Sequence, residues 1–204
     1  MDEGRYLAWT RETIEGFAAQ QVESGVLPER EAREYAEAAF DTLLPQGMCT
    51  PGHHVWSAYD RETEVGYLWL GIREQSDGAE CYVYDVAVAP HLRGSGYGRA
   101  IMLAGEAKAS ALGAATIGLN VFGHNSAARR LYDSLGYAVS ATTMTRRLDT
   151  QGLGTREHFF WTGNDGGTEV GRVGLNVCGP NQGARSLDEQ MGFTVASTLM
   201  KKDL

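Results

Sequence analysis

The stretch Glu80–Pro90, ECYVYDVAVAP, runs directly into HLRGSGYGRAIMLAGEAKASALG, and no other junction in the chain constrains the fold as strongly. β-branched and aromatic residues fill the first stretch and Pro90 closes it, so it reads as a central strand. The second reads as a glycine-rich turn feeding a helix that stops at Gly113. A helix beginning at Arg93-Gly-Ser-Gly-Tyr-Gly98 exposes its first N–H groups, its dipole favours negative charge, and small residues let phosphates approach the backbone. Arg93 and Arg99 add positive charge. The spacing is not G-x-x-x-x-G-K-[ST], and position 99 is Arg, so it is not G-x-G-x-x-G either. The junction predicts a pyrophosphate site, with a merely flexible turn as the bland alternative. Within the strand, Asp85 sits among Val83, Tyr84, Val86 and Ala87. A carboxylate there is costly unless paired. Two readings stay open, a functional group or a structural hydrogen bond to a neighbouring strand or helix.

Around this junction the pattern supplies the remaining layers. Trp9, Ile14, Phe17 and Ala18 predict a first helix ending near Gly25, and Ala32, Tyr35, Ala39, Phe40 and Leu43 form the apolar stripe of a second that opens at Pro28. HHVWSAYD and EVGYLWLGIRE, separated by a polar turn at 61–63, read as a hairpin. AATIGLNV alternates as a half-buried strand, Asn125 caps or precedes the helix SAARRLYDSLG, and YAVSATTMTRRL follows as a strand. The order predicts a mixed α/β (α+β) domain complete near Leu148.

Composition narrows the setting. With 43% hydrophobic and 22% charged residues the chain has a globular mix. No run of about 18 apolar residues offers a membrane span, and the charged start MDEGRYLAWTRETIEGF lacks a signal core. Three cysteines without C-x-x-C spacing suggest neither a disulfide framework nor a zinc site, and the five histidines show no ligand spacing, so a cytoplasmic protein without a metal is expected. A net charge of −8 argues against nucleic-acid binding.

Residues 82–148 resemble the GNAT superfamily of N-acetyltransferases. The acetyl-CoA motif R/Q-x-x-G-x-G/A is matched by Arg93, Gly96 and Gly98 after a strand ending Val-Ala-Val, and a second motif by Asn125, Tyr132, Gly136 and Tyr137. The resemblance implies a mostly antiparallel sheet, splayed between two central strands and flanked by helices, that admits coenzyme A. It implies that the backbone of Val86 and Val88 holds the pantetheine arm. Gly94, Ser95, Gly96, Gly98 and Arg99 would hold the pyrophosphate with Arg93 nearby, and Asn125, with Ala128 and Arg129 at the start of its helix, would contact the other end of the pantetheine. Tyr132 would protonate the departing thiolate. The expected reaction is acetyl transfer from the coenzyme A thioester to a primary amine, a small molecule rather than a protein, by direct attack. Asp85 or water would take the amine's proton, and Glu62 and Glu64 at the hairpin turn could meet a cationic acceptor. The alternative is a non-catalytic acyl-CoA sensor or regulatory protein.

The chain also echoes itself. Residues 118–148 match 174–204 at an offset of 56 with 14 identities in 31, and 53–70 match 158–175 at an offset of 105. The 49 residues missing between the copies are the central strand, the glycine-rich turn and the helix after it. The expected organisation is therefore an acetyltransferase domain at 1–148, a linker at 149–157 and a partial repeat at 158–204. In the repeat Asp188 replaces Tyr132 and Asn181 has no phosphate cradle, so no second active site is expected. Val173, Leu175 and Val177 predict a strand, and Ala184, Leu187 and Met191 a short helix. So small a strand-helix-strand appendage should dock on the first copy, or on another subunit as a homodimer.

Overall fold

A computed structural model describes residues 1–24, 26–75, 78–147, 172–179, 186 and 189–204. The expected linker at 149–157, His158, Asn181, Ala184, Leu187 and Asp188 lie outside the described residues. Helix α1 (Glu3–Glu23) starts where the Asp2 carboxylate accepts from the Arg5 N–H at 2.8 Å, and Glu3 suits its positive end. Helix α2 (Glu29–Leu43) follows Pro28 with Glu29 and Glu31 in its first turn. Its buried stripe is Ala32, Ala36 and Phe40, whereas Tyr35, expected to be inward, is half exposed and stacks on Phe17. The two alanines let α2 lie close to α1.

Seven strands form one sheet in the order β1-β2-β3-β4-β7-β5-β6. They are β1 (His53–Asp60), β2 (Thr63–Gln75), β3 (Gly78–Val88), β4 (Ala114–Phe122), β5 (Ala138–Arg147), β6 (Arg172–Cys178) and β7 (Thr194–Asp203). Helices α3 (Tyr97–Ala111) and α4 (Ser126–Ser134) complete the described elements. All ladders are antiparallel except β3 with β4. One face of the sheet packs against α3 and α4 around Leu70, Cys81, Met102, Ile117, Leu119 and Met200. The other carries α1 and α2 around Trp9, whose ring lies 5.5 Å from Phe40 and 5.4 Å from Trp69.

β4 and β5 are joined through β7, so the described strands of the tail pair within the main sheet. The reason is hydrogen bonding: β7 satisfies the edges of both neighbours at once. The contact is tight at Gly123, whose N–H bonds to the Ala196 carbonyl at 2.8 Å. A Cβ at Gly123 would come within Val195's carbonyl oxygen.

Candidate active site

The parallel ladder of β3 and β4 runs from Ala79↔Ala114 to Val83↔Leu119 and then ends, although β3 continues to Val88 and β4 to Phe122. β2 holds β3 to its last residue, Gly66↔Val88, and β7 holds β4 to Phe122↔Ser197. Each strand follows its outer neighbour, and the sheet parts between Val86, Val88 and the end of β4. A V-shaped slot with backbone on its walls can accept an extended ligand as an added strand.

At the end of β3 the chain turns through Pro90–Leu92 into the exposed loop of Arg93, Gly94, Ser95 and Gly96. Gly94 (φ 79°) and Gly96 (φ 88°) adopt left-handed backbone that favours glycine. Gly96 is the N-cap of α3 and has no side-chain cap, so the first N–H groups of the helix stay available to an anion. Space is open around the Cα of both glycines, while a Cβ on Gly98 would meet Leu131 at 3.3 Å, which keeps α3 close to α4. The arginines are more committed than the sequence suggests. Arg93 Nε donates to the Val88 carbonyl at 3.2 Å, and Arg99 Nη2 donates to Ser134 Oγ at 2.6 Å. Arg99 thus ties the start of α3 to the end of α4.

Asn125 caps α4 by accepting from the Ala128 N–H at 3.0 Å. This cap places Ala128 and Arg129 in the first helical turn and Tyr132 on the buried face. Tyr132 is 7% exposed, and its ring centroid is 5.8 Å from that of Tyr137. Burial, then the charge of Asp85, pushes the Tyr132 phenol up to about 12.

Asp85 approaches from the opposite face of the sheet. The β2–β3 register shifts from Trp69↔Asp85 to Leu70↔Val83, which leaves Tyr84 as an extra residue. The bulge reverses the alternation: Val83 and Val86 both pack toward the α3 core, and Asp85 turns to α1. There its Oδ2 accepts from Tyr67 OH at 2.9 Å and from Thr13 Oγ1 at 3.3 Å. Burial raises the Asp85 carboxyl above its ordinary range against these two hydrogen bonds and the Val86 N–H. The structural alternative for Asp85 is therefore present, from both a strand and a helix. It does not preclude chemistry, because Asp85 as a residue is only partly buried.

Thr13 and Tyr67 are absent from the sequence-based site. Thr13 carried a signal, a polar residue at the i+4 position from Trp9 on an otherwise apolar stripe. Glu64, suggested for a cationic acceptor, is instead paired with Arg5 at 2.7 Å, and Arg5 also meets Glu12 at 3.2 Å. His124 stacks on Phe122, the last residue of β4, and lies 3.3 Å from Glu23, the last residue of α1. Among the described residues no group of three or more His, Cys, Asp and Glu side chains is placed to hold a metal, and no helix is long and apolar enough to cross a membrane.

A sheet parted at one parallel junction, with a glycine-capped helix at its mouth, defines a coenzyme A-dependent acyltransferase class. Residues 18–137 match the model of the Acetyltransferase (GNAT) family, and the chain belongs to that family. It is 31% identical over 137 residues to the uncharacterized N-acetyltransferase YycN of Bacillus subtilis, covering 67% of this chain and 88% of that protein. YdgE of the same organism, also named an uncharacterized N-acetyltransferase, is 30% identical over 149 residues, 72% of this chain and 95% of its own. The crystal structure of YycN superposes with a TM-score of 0.64 at 26% identity, over 78% of this chain and 96% of that one. The PaiA N-acetyltransferase of Thermoplasma acidophilum, solved with coenzyme A, shares the fold with a TM-score of 0.55 at 11% identity, over 100% and 96%. The chain is an acetyltransferase of this family, whose members use acetyl-CoA as acyl donor.

Proposed function

We propose that the protein transfers the acetyl group of acetyl-CoA to a primary amine by direct attack, with Tyr132 as general acid toward the leaving thiolate. The observation that carries this reading is the parting of β3 and β4 beyond Val83 and Leu119, with Tyr132 on one face of the opening and Asp85 on the other. The pantetheine arm lies between the strands, along the backbone edge of Val86 and Val88 that β4 does not pair. The pyrophosphate rests on the N–H groups from Gly94 to Arg99, and Asn125, Ala128 and Arg129 flank it from α4.

The amine's lone pair forms the new C–N bond as the C–S bond breaks, and the thiolate departs. Full proton transfer from a phenol near 12 to a thiolate is uphill, so Tyr132 acts chiefly through a hydrogen bond that strengthens as charge develops on sulfur. Positive charge on the attacking nitrogen beside Asp85 cancels part of what raises the phenol. The proton leaving nitrogen passes to Asp85, whose raised pKa makes it a better base than an ordinary carboxylate, or through it to water. Thr13 and Tyr67 fix which way the carboxylate points.

The acceptor is proposed to be a small cationic amine, since Asp85 is the charge nearest the attacking position. The test is a panel of small amines and amino-terminal peptides with acetyl-CoA, read by release of free thiol. Turnover with a small amine supports the reading. Binding of acetyl-CoA without thiol release from any member leaves an acyl-CoA sensor instead.

A further inference from the structure

The pairing in the half of the sheet made by β4, β7, β5 and β6 repeats itself. β4 pairs with β7 from Thr116↔Asp203 to Phe122↔Ser197, and β5 with β6 from Arg147↔Arg172 to Ala141↔Cys178. Shifting β4 forward and β7 back by the 56-residue offset of the sequence echo converts the first ladder into the second, pair for pair. The ladder between β5 and β7 maps onto itself. Ala138↔Lys201 becomes Thr145↔Thr194, Val139↔Met200 becomes Met144↔Val195, and Thr142 faces Thr198, its own counterpart. The two irregularities of that ladder fall at Ser140 and Ala196, again counterparts. So are the bonds from the Gly123 N–H to Ala196 O (2.8 Å) and from the Gly179 N–H to Ser140 O (2.7 Å). Pairing of this kind is that of two copies of one unit related by a two-fold axis, each lending its last strand to the other.

We infer that β6 and β7 act as a built-in second subunit: the surface that β4 and β5 would offer to a second copy of this chain is filled, about a local two-fold axis at Thr142 and Thr198, by the chain's own last strands. Two lysines then break the symmetry. Lys201 Nζ lies 2.5 Å from Glu80 Oε1, and Lys202 Nζ lies 2.6 Å from Glu106 Oε2. The counterparts of these lysines are Thr145 and Arg146. Glu80 and Glu106 are buried, on β3 and α3, elements with no counterpart in the repeat. With β5 in the place of β7, Glu80 would face Thr145 and lose its contact with Lys201, whereas Glu106 would still meet a cation, Arg146. Lys201 therefore favours β7 over β5 as the strand beside β4, with Lys202 adding to it only as far as a lysine fits Glu106 better than an arginine.

Disulfide trapping tests both parts in a Cys49→Ser, Cys178→Ser background. Asn120→Cys with Leu199→Cys puts thiols on paired residues of β4 and β7 at the open face. Asn120→Cys with Thr143→Cys puts them two strands apart and two residues out of register, about 12 Å, too far to bridge. Mild oxidation is expected to close the 120–199 pair in a product of single-chain mass and to leave the 120–143 pair open. A two-chain product, failure of the 120–199 pair to close, or closure of 120–143 instead, overturns the built-in subunit. Exchanging the selectors, Thr145→Lys and Arg146→Lys with Lys201→Thr and Lys202→Arg, is expected to move crosslinking several-fold toward 120–143. The milder Lys201→Thr is read by the same ratio should the fourfold variant not fold, and an unchanged ratio overturns the role of the lysines.

Discussion

Replacing Tyr132 with Phe removes one hydroxyl from the slot and little else. The phenol is held near 12, so at pH 8 only about one molecule in 10⁴ carries a phenolate, and the change is neutral in charge. The ring stays in the core formed with Leu119, Leu135 and Tyr137. Stability should therefore move by less than about 1 kcal/mol, or about 2–4 °C in Tm. Removing one hydrogen-bond donor to charge that develops in the transition state costs roughly 10²–10³-fold, so kcat is expected to fall by that factor, about 3–4 kcal/mol of barrier. The KM for acetyl-CoA should stay within about twofold, because the pantetheine is held by strand backbone and not by the phenol. The assay is thiol release across pH 6–10, with Tm measured on the same samples. A Phe variant that keeps kcat within about threefold of wild type, with Tm unchanged, refutes Tyr132 as the acid and leaves it as a core aromatic.

Asp85→Asn should change stability in a pH-dependent way. Burial raises the carboxyl in the folded state, so the stability its proton contributes is present below the ordinary pKa of about 4 and is lost as pH rises through the raised value. The variant is expected to melt above wild type at pH 8 and to lose that advantage near pH 4; an equal difference at both pH values contradicts the shift. Gly96→Ala forces a Cβ onto a left-handed residue at about 1–2 kcal/mol and disturbs the helix start, so the KM for acetyl-CoA should rise at least severalfold while kcat changes less. Lys202→Met leaves Glu106 without its cation; because the lysine is about a quarter exposed, a loss of about 2 kcal/mol is expected in urea denaturation, largely recovered by adding Glu106→Gln. No recovery in the double variant would mean that the lysine acts through packing and not through the pair.

The parts of the site that depend on local sequence were legible. The strand, glycine turn and helix around Arg93–Gly98 need only short-range chemistry, and Gly96 caps α3 in left-handed geometry. Asn125 likewise caps α4 with its own side chain. What escaped depends on pairing. The bulge at Tyr84 is decided by the ladder with β2, and only that ladder turns Asp85 toward Thr13 and Tyr67. Tyr35 sat on the apolar stripe by spacing, yet Ala32, Ala36 and Phe40 fill the contact with α1, and the larger ring is left to stack at its edge. The position of β7 is the plainest case. Its alternation is the same as that of β5, so apolar pattern alone cannot say which of the two should lie beside β4.

That ambiguity bears on the slot itself. β4 is held by β7 along Thr116–Phe122 and by β3 only as far as Leu119, so beyond that point β4 takes its direction from β7 alone. β7 in turn is pinned by Lys201 to β3 and by Lys202 to α3, the two elements that form the opposite wall and the mouth. Lys201 and Lys202 lie opposite Gly118 and Ile117, where β3 and β4 still pair, so the two ion pairs fix β7 just below the opening, and past Leu119 the wall of β4 follows β7 through their own ladder. A strand offered by β5 would satisfy the same backbone bonds and would keep a cation for Glu106 in Arg146, but would present Thr145 to Glu80 in place of Lys201. Symmetry in the ladders supplies the hydrogen bonds, and the break in symmetry at Lys201 supplies the registration of β7 against β3.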